Sequence, residues 1–165
     1  MITQEQHEEW LHNPVGKIPK GEYCRTCGRF NSRTMAVNAL LIKENSVLLV
    51  KRGEEPDKGF WDIPGGYIGW DETLEEGTAR ELLEETGLIV DPDHLEFFSV
   101  FSNPNNKAKN QVVDMYFVSR IFSGEMQVDG KEITESKWFD LNALPDNVAF
   151  DHMLALVKLQ KALRE

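Results

Sequence analysis

Apolar and polar positions alternate in blocks along the chain, and most of the apolar blocks have the length of strands. Two apolar runs, at 35–42 and 47–50, flank a short polar segment and predict a β-hairpin. Runs at 95–101 and 112–121 predict two further strands joined by a polar loop, and the aromatic pair at 138–139 predicts a short strand. The pattern therefore distributes strands along most of the chain.

Two segments have the spacing of helices instead. Residues 73–86 hold no glycine or proline except Gly77 and are followed by Gly87, a common residue at a helix C-terminal cap. Residues 151–163 carry apolar side chains on one helical face and predict a C-terminal amphipathic helix. The residues of that face are Met153, Leu154, Leu156, Val157 and Leu159.

The composition of the chain changes near residue 33. Residues 1–33 are polar and rich in Gly and Pro, and we predict that they form an N-terminal appendage with little regular structure. Residues 34–165 are predicted to form one folded domain, since 165 residues is close to the usual size of a single domain. The sequence shows no secretory leader and no apolar run of membrane-spanning length, so we expect a cytoplasmic protein.

The only two cysteines of the chain, Cys24 and Cys27, lie in the appendage. Two cysteines are too few for a disulfide framework, which also favours a reducing compartment. Their spacing is that of one knuckle of a zinc ribbon, but a tetrahedral zinc site needs four ligands. Three interpretations stay open: a turn without metal, a zinc ion completed by His7 or His12, and a zinc ion shared by two chains.

The chain is acidic overall, with 28 Asp and Glu against 18 Lys and Arg and a formal net charge of -10. Such a surface repels phosphate backbones and anionic headgroups, which argues against a nucleic acid polymer or a membrane as partner. Hydrophobic residues make up 41% of the chain, enough for a packed core and unlike a disordered protein. Small anionic partners remain compatible with this charge if metal ions bridge them.

The acidic residues are concentrated in the first predicted helix. Seven of them lie between Asp71 and Glu85, where Arg80 is the only basic residue. Glu81, Glu84 and Glu85 share one helical face, and like charges at that spacing oppose the helix unless a cation screens them. Mg²⁺ prefers oxygen ligands of this kind and joins carboxylates to substrate phosphates. A solvated acidic face is the alternative interpretation of the charges alone.

The spacing of the residues decides between these interpretations. The segment reads Gly66, five residues, Glu72, seven residues, Arg80-Glu81-Leu82, one residue, Glu84-Glu85, one residue, Gly87-Leu88. At ordinary residue usage its Gly, Arg and Glu positions would coincide at a rate on the order of 10⁻⁸ per register. The segment is a complete Nudix box, and the chain resembles the Nudix hydrolase family from Thr34 to Leu163.

The resemblance implies both a fold and an activity. Members of the family fold as an α/β/α sandwich with a mixed β-sheet, and they cleave nucleoside diphosphates linked to another moiety. They bind a divalent metal, usually Mg²⁺ or Mn²⁺, which neutralises the diphosphate and activates or orients a water molecule for attack on phosphorus. By resemblance the metal ligands here are Glu81, Glu84, Glu85 and the backbone carbonyl of Gly66.

The resemblance also suggests roles for the remaining charged residues of the box. Arg80 is expected to hold a box glutamate in position by an ion pair, and Glu72 to support the junction of loop and helix. In the family the general base is either a box glutamate or a glutamate of a later loop, for which the candidates here are Glu132 and Glu135 in the segment before Trp138. We favour Glu81 as a metal ligand that shares the role of base, with Glu132 or Glu135 assisting. Those two late glutamates are alternatively plain surface residues. The catalytic candidates are therefore Arg80, Glu81, Glu84 and Glu85.

The substrate is less directly encoded than the chemistry. In the family, a proline about sixteen residues beyond the box is associated with ADP-ribose pyrophosphatases, and Pro104 follows Leu88 by sixteen; its alternative role is that of a loop residue. Residues 98–104 lack the proline-rich signature of NADH pyrophosphatases. We expect ADP-ribose or a nucleotide sugar, and after these an intact or oxidised nucleoside triphosphate. The candidate substrate-binding residues are Arg52, Pro104 and Glu135.

Two other classes of function are compatible with parts of the sequence. A Nudix-fold module can sense a nucleotide without cleaving it, but such modules usually have an eroded box, and this box is intact. A metal-binding interaction domain would explain only the acidic helix and the cysteine pair. A small nucleotide substrate is thus the expected partner, and a homodimer is expected only by analogy with relatives.

Overall fold

The computed structural model describes residues 33–103, 112–128 and 130–164. The predicted appendage therefore lies outside the described residues, except for Arg33 at its end. The zinc interpretations, which involve Cys24, Cys27, His7 and His12, also lie outside, and so does Pro104. The compact unit that the described residues form lies within Thr34–Glu165.

The predicted hairpin is confirmed at the start of this unit. Strand β1 spans Met35–Lys43 and β2 spans Ser46–Arg52, and they pair antiparallel with Ile42 opposite Val47. Glu44 in the turn has a positive φ of 54°, the left-handed conformation that tight hairpin turns use.

Seven strands form one mixed sheet around this hairpin. The additional strands are β3 (Trp61–Asp62), β4 (Gly65–Tyr67), β6 (Glu96–Phe101), β7 (Val113–Ser119) and β9 (Ile133–Asp140). The order is β3-β2-β1-β7-β6, with β4 also pairing with β1 and β9 with β2. The β1–β7 pair is parallel and the other pairs are antiparallel. Two short strands, β5 (Leu88–Ile89) and β8 (Ser123–Gly124), pair separately, and a 3-10 turn spans Pro92–His94.

The sheet is covered by a helix on each face, as shown by the interior residues of β1. One set of alternate positions, with Leu40 and Ile42, packs in a core cluster with Leu156 of the C-terminal helix. The opposite set packs in a second cluster with Leu82 of the central helix; its members are Val37, Ala39 and Leu41. Alternate side chains of a strand point to opposite faces of the sheet. The α/β/α sandwich with a mixed sheet is thus confirmed.

The central helix, α1, spans Leu74–Thr86, close to the predicted limits. Thr73 caps its N-terminus: the Thr73 side chain accepts a hydrogen bond from the backbone of Glu76, and the Glu76 side chain accepts one from the backbone of Thr73. Gly87 ends the helix with a φ of 71°, in the left-handed region that glycine adopts most readily.

The C-terminal helix, α2, spans His152–Ala162, and one detail of its prediction is wrong. Leu156 and Leu159 are buried as expected, whereas Leu154 is 53% exposed and Val157 is 37% exposed. The buried residues are His152, Ala155, Leu156 and Leu159, which lie at helical spacing, so the face that packs in the core begins with a histidine.

The last strand of the sheet is also longer than predicted. It spans eight residues rather than the aromatic pair alone, because it pairs with β2 along nearly its whole length. Among the described residues, no helix is both long and apolar enough to cross a membrane.

Candidate active site

A cleft of about 370 Å³ opens between α1, the sheet and the start of α2. Strands β1, β2, β3, β4 and β7 contribute residues to its lining, as do the segments before β9 and before α2. Its lining includes six acidic and two basic side chains, namely Asp62, Glu81, Glu85, Asp114, Glu132 and Asp151 with Arg52 and His152. A cleft that concentrates charged side chains in this way is the candidate active site.

Arg80 organises the acidic residues at the start of α1. Its Nε and Nη2 atoms lie 2.9 and 2.7 Å from the two carboxylate oxygens of Glu72, and Nη1 lies 2.8 Å from Oε1 of Glu81. Nη1 also lies 3.2 Å from Oε2 of Glu84. The hydrogen bonds from Arg80, and one from the backbone of Gly69, lower the pKa of Glu72 to about 2. One guanidinium thus connects the loop before the helix with two box glutamates.

Glu85 lies one helical turn beyond Glu81 and is held from the sheet. Its Oε2 accepts a hydrogen bond of 2.9 Å from the backbone N–H of Gly65. Burial raises the pKa of Glu85 to about 9; the Gly65 N–H opposes this effect, and nearby carboxylates, Asp62 and Glu81 foremost, add to it. The ionised form of Glu85 therefore lacks a compensating positive charge within the described part of the protein.

Glu81 is half buried beside the backbone of Gly66. Burial raises its pKa; the Arg80 hydrogen bond opposes this, and the charges of Glu84 and Glu132 add to it. A Cβ atom placed on Gly66 would lie 2.6 Å from the Glu81 carboxylate, so only glycine leaves the space that this carboxylate occupies. Glu81 and the backbone at Gly66 are therefore in direct contact, as a shared ligand role would require.

The donors present fit a hard divalent cation by their chemistry. Glu81, Glu85 and Glu132 line the same cleft, and carboxylate oxygens are the ligands that Mg²⁺ and Mn²⁺ prefer. As these side chains stand, no three acidic, His or Cys groups of the described residues converge on one point. The reason is that Glu81 and Glu84 turn towards Arg80, while Glu85 turns towards Gly65.

The predicted site residues are distributed unevenly over this cleft. Gly66, Glu81, Glu85 and Arg52 line it, whereas Glu84 does not and is exposed over 58% of its side chain. Glu135 forms an ion pair of 3.0 Å with Lys51 and is not among the lining residues. Of the two late glutamates it is therefore Glu132 that reaches the cleft.

The opposite part of the lining contains a buried ion cluster that sequence reasoning missed. Asp62 on β3 lies 2.9 Å from Nη1 of Arg52 and 2.5 Å from Nδ1 of His152. These two cations outweigh the effect of burial and lower the pKa of Asp62, while Asp62 raises the pKa of His152 despite its burial. The only sequence signals were an acidic residue within the apolar run before Pro64 and a histidine at the start of an apolar helix.

Comparison with known proteins agrees with this geometry. The NUDIX domain model matches residues 32–157. An ADP-ribose pyrophosphatase of Methanocaldococcus jannaschii is 39% identical over 118 residues, which cover 72% of this chain and 68% of the relative.

Solved structures resemble the fold as a whole. A MutT NUDIX hydrolase from Burkholderia pseudomallei superposes with a TM-score of 0.71 at 26% identity, covering 77% of this chain and 98% of the other. The NUDIX domain of Shewanella oneidensis NrtR, solved in complex with ADP ribose, gives a TM-score of 0.68 at 25% identity and covers 98% and 99%. The fold and the enzyme class predicted from the box are confirmed: the chain belongs to the NUDIX domain family and is a Nudix hydrolase.

Proposed function

We propose that this hydrolase cleaves the diphosphate linkage of ADP-ribose, giving AMP and ribose 5-phosphate, with a nucleotide sugar as the nearest alternative substrate. The observation that supports it most directly is the complete box, whose Glu81 and Glu85 carboxylates line one cleft. The substrate is proposed from the relatives, one of which is an ADP-ribose pyrophosphatase and another of which binds ADP ribose.

Nudix hydrolases generally need a divalent metal ion, and we propose Mg²⁺ or Mn²⁺ here. Glu81, Glu84 and Glu85, with the carbonyl of Gly66, are the proposed ligands, and Glu132 is well placed to join them. When bound, the cation supplies charge neutralisation of the diphosphate and lowers the pKa of a water ligand. Glu84 would have to leave Arg80 to take part, a small change for an exposed side chain.

In the proposed reaction, a water oxygen forms a bond to one phosphorus as the bond from that phosphorus to the bridging oxygen breaks. The water gives up a proton, and Glu81 or Glu132 is proposed to accept it on a carboxylate oxygen, because both line the cleft. The leaving group departs as a phosphate monoester. Arg80 keeps Glu81 oriented throughout, because its guanidinium is itself anchored on both oxygens of Glu72.

Of the three proposed substrate-binding residues, Arg52, Glu135 and Pro104, the first lies in the cleft. Arg52 lines the cleft and carries a positive charge, so it is suited to a phosphate oxygen. Glu135 pairs with Lys51 outside that lining, and its proposed contact requires a substrate that extends beyond the cleft. Pro104 lies outside the described residues, and its role stays a prediction.

The test is hydrolysis of a substrate panel by the purified chain with Mg²⁺ or Mn²⁺, with products separated by chromatography. The panel contains ADP-ribose, a nucleotide sugar, NADH, and canonical and oxidised nucleoside triphosphates. We expect ADP-ribose to give the highest kcat/KM and to yield AMP and ribose 5-phosphate. Repeating the reaction in ¹⁸O-water identifies which phosphorus is attacked, since the label enters only that product. Light scattering on the same sample tests the predicted homodimer.

The other outcomes would each change the proposal in a definite way. A preference for an oxidised triphosphate would replace the substrate and retain the chemistry of the box. Tight binding of ADP-ribose without turnover would instead indicate a sensing module. Loss of hydrolysis on addition of a chelator, with recovery on adding either metal, is expected in all catalytic cases.

A further inference from the structure

Asp62 joins two cationic side chains that both line the cleft. Its Oδ2 is 2.9 Å from Nη1 of Arg52, and its Oδ1 is 2.5 Å from Nδ1 of His152. Oδ1 also accepts a hydrogen bond from the backbone N–H of Ile63. Both oxygens of this buried carboxylate are thus engaged, and each one fixes the orientation of a neighbouring cation.

Each of the two cations keeps a donor atom that the described protein does not use. Arg52 donates from Nε to the Pro56 carbonyl and from Nη1 to Asp62, which leaves Nη2. The Nδ1 atom of His152 lies 2.5 Å from Oδ1 of Asp62, an ion-pair contact without hydrogen-bond geometry, and Nε2 lies on the other side of the ring. Within the described part of the chain, neither Nη2 nor Nε2 has a hydrogen-bond partner, although both residues line the cleft.

Aromatic rings restrain both cations further. The Phe150 ring centre lies 4.8 Å from the guanidinium carbon of Arg52 and 5.5 Å from the centre of the His152 ring. Tyr116 packs edge-on against the same imidazole at 5.7 Å. The imidazole is thus confined by Asp62 and by two rings, so the direction of its Nε2 atom is set before any ligand binds. Preorganised donors lose less entropy on binding than mobile ones do.

The charge of this cluster differs from that of the rest of the lining. Arg52 and His152 are the two basic side chains among the described residues of the cleft, against six acidic ones. Burial favours a neutral imidazole, but the Asp62 carboxylate outweighs it and Asp114 acts in the same direction, so the pKa of His152 is raised. Arg52 and, when protonated, His152 are thus the positive charges that the described lining can offer to an anionic ligand.

We propose that Nε2 of His152 and Nη2 of Arg52 together bind one phosphoryl group of the substrate, with Asp62 as the residue that positions both. The proposal deepens the proposed function and rests on it for the identity of the substrate. Phosphoryl oxygens accept charge-assisted hydrogen bonds, which are stronger than those between neutral groups. No other described side chain of the cleft offers a cationic donor for them.

The test removes one ring nitrogen and keeps an equivalent of the other. In His152→Asn, the side-chain amide can occupy the position of Nδ1 beside Asp62, but nothing replaces Nε2. The matched control is His94→Asn, at an exposed histidine of the 3-10 turn. Calorimetry with Mg²⁺ then compares AMP, ribose 5-phosphate and inorganic phosphate with adenosine, which lacks a phosphoryl group.

We expect His152→Asn to weaken the binding of the three phosphate probes by about tenfold to a hundredfold, the range for a lost charge-assisted hydrogen bond. Adenosine binding and the His94→Asn control should stay at the wild-type level. Unchanged affinity of His152→Asn for the phosphate probes would overturn the proposal. An equal loss for adenosine and AMP would overturn it as well, because the lost contact would then not be to phosphate.

A second measurement covers the case in which the substitution impairs folding. The imidazole ¹⁵N signals of the wild-type chain are followed by NMR as inorganic phosphate is added, and we expect the Nε2 signal of His152 to move while those of His94 do not. An unchanged Nε2 signal at saturation, or no binding of any phosphate probe, overturns the proposal. Neither readout needs turnover, so failure to hydrolyse ADP-ribose is distinguishable from failure of this subsite.

Discussion

The cleft has two charged regions: the box region, with the carboxylates of Glu81 and Glu85, and the Arg52–Asp62–His152 cluster. Both contain carboxylates, but they differ in whether positive charges lie next to those carboxylates. Asp62 is buried and Glu85 is partly buried, yet the pKa of Glu85 is raised to about 9 and that of Asp62 is lowered. Asp62 has two cations within hydrogen-bond distance, whereas Glu85 has a single backbone N–H. Burial therefore does not by itself determine the charge of a carboxylate; its partners do.

This difference indicates where the protein itself supplies positive charge to the cleft and where a bound cation would have to supply it. At Glu85 the box region lacks a compensating positive charge among the described residues, which is the charge that the proposed divalent cation would supply. In the Arg52–Asp62–His152 cluster, by contrast, the carboxylate is already compensated by two basic side chains. A metal-bound diphosphate carries both signs of charge, so the two regions together match it better than either region does alone.

The largest expected effect concerns the box region. Glu85→Gln keeps the size and the acceptor oxygen for Gly65 but removes the charge that a divalent cation needs. We expect kcat/KM to fall by about a thousandfold, or roughly 4 kcal/mol of barrier, since a catalytic metal contributes several kcal/mol. The control is Glu96→Gln, at an exposed glutamate of β6. Activity within tenfold of the wild type would remove Glu85 from the proposed ligands.

The next effect concerns stability on the other side of the cleft. Asp62→Asn leaves Arg52 and His152 without their shared counter-charge, and we expect a loss of about 3 kcal/mol in the free energy of unfolding at pH 7. The pKa of His152 should fall in the same variant, because burial is then no longer outweighed. Urea denaturation and NMR titration measure the two quantities. Asp93→Asn, at an exposed position of the 3-10 turn, should change stability by less than about 0.5 kcal/mol; an equal loss in both variants would refute the cluster's role.

The pH dependence of the free energy of unfolding tests the raised pKa of Glu85 in the unmodified chain. The pKa of Glu85 is higher in the folded chain than in the unfolded chain, so the folded, metal-free chain binds the extra proton. Its contribution to stability is present below the unfolded pKa and is lost as pH rises towards about 9. In chelator we expect wild-type stability to fall by about 2 kcal/mol relative to Glu85→Gln between pH 6.5 and 8.5. Parallel curves for the two proteins would show that Glu85 is not the titrating group.

The smallest effect compares the helices that carry the two regions. Thr73 caps α1 through its side chain, whereas Asp151 at the start of α2 makes no such hydrogen bond. Thr73→Ala should therefore cost about 1 kcal/mol of stability, and Asp151→Ala considerably less. Thermal unfolding of both variants measures the difference. A larger loss of stability in Asp151→Ala than in Thr73→Ala would mean that Asp151 makes a stabilising contact other than the contact of His152 with Asp62.

The sequence predicted the box region well because its residues are close together in the chain. Arg80, Glu81 and Glu85 lie on one helix, so a helical period and a motif spacing are enough to place them. The hairpin and the Gly87 cap of α1 were predictable for the same reason, since each depends on a few neighbouring residues.

The Arg52–Asp62–His152 cluster could not be predicted from neighbouring residues in this way. Arg52, Asp62 and His152 come from three different elements, and they meet only because β3 pairs with β2 and α2 packs against the sheet. No local pattern encodes such a meeting. The errors at Leu154 and Val157 have a related cause: the buried face of α2 is formed by His152, Ala155, Leu156 and Leu159, and a histidine is not part of an apolar pattern.

The position of Gly66 restricts which residues can be substituted there. Its φ does not lie in the left-handed region that favours glycine, in contrast to Gly87 with a φ of 71°. What glycine provides at position 66 is space, because the Glu81 carboxylate fills the volume of a methyl group. Even alanine would displace a carboxylate on which the proposed reaction depends. Mutational tolerance at this position is therefore governed by steric exclusion between backbone and side chain, whatever the stability of the fold.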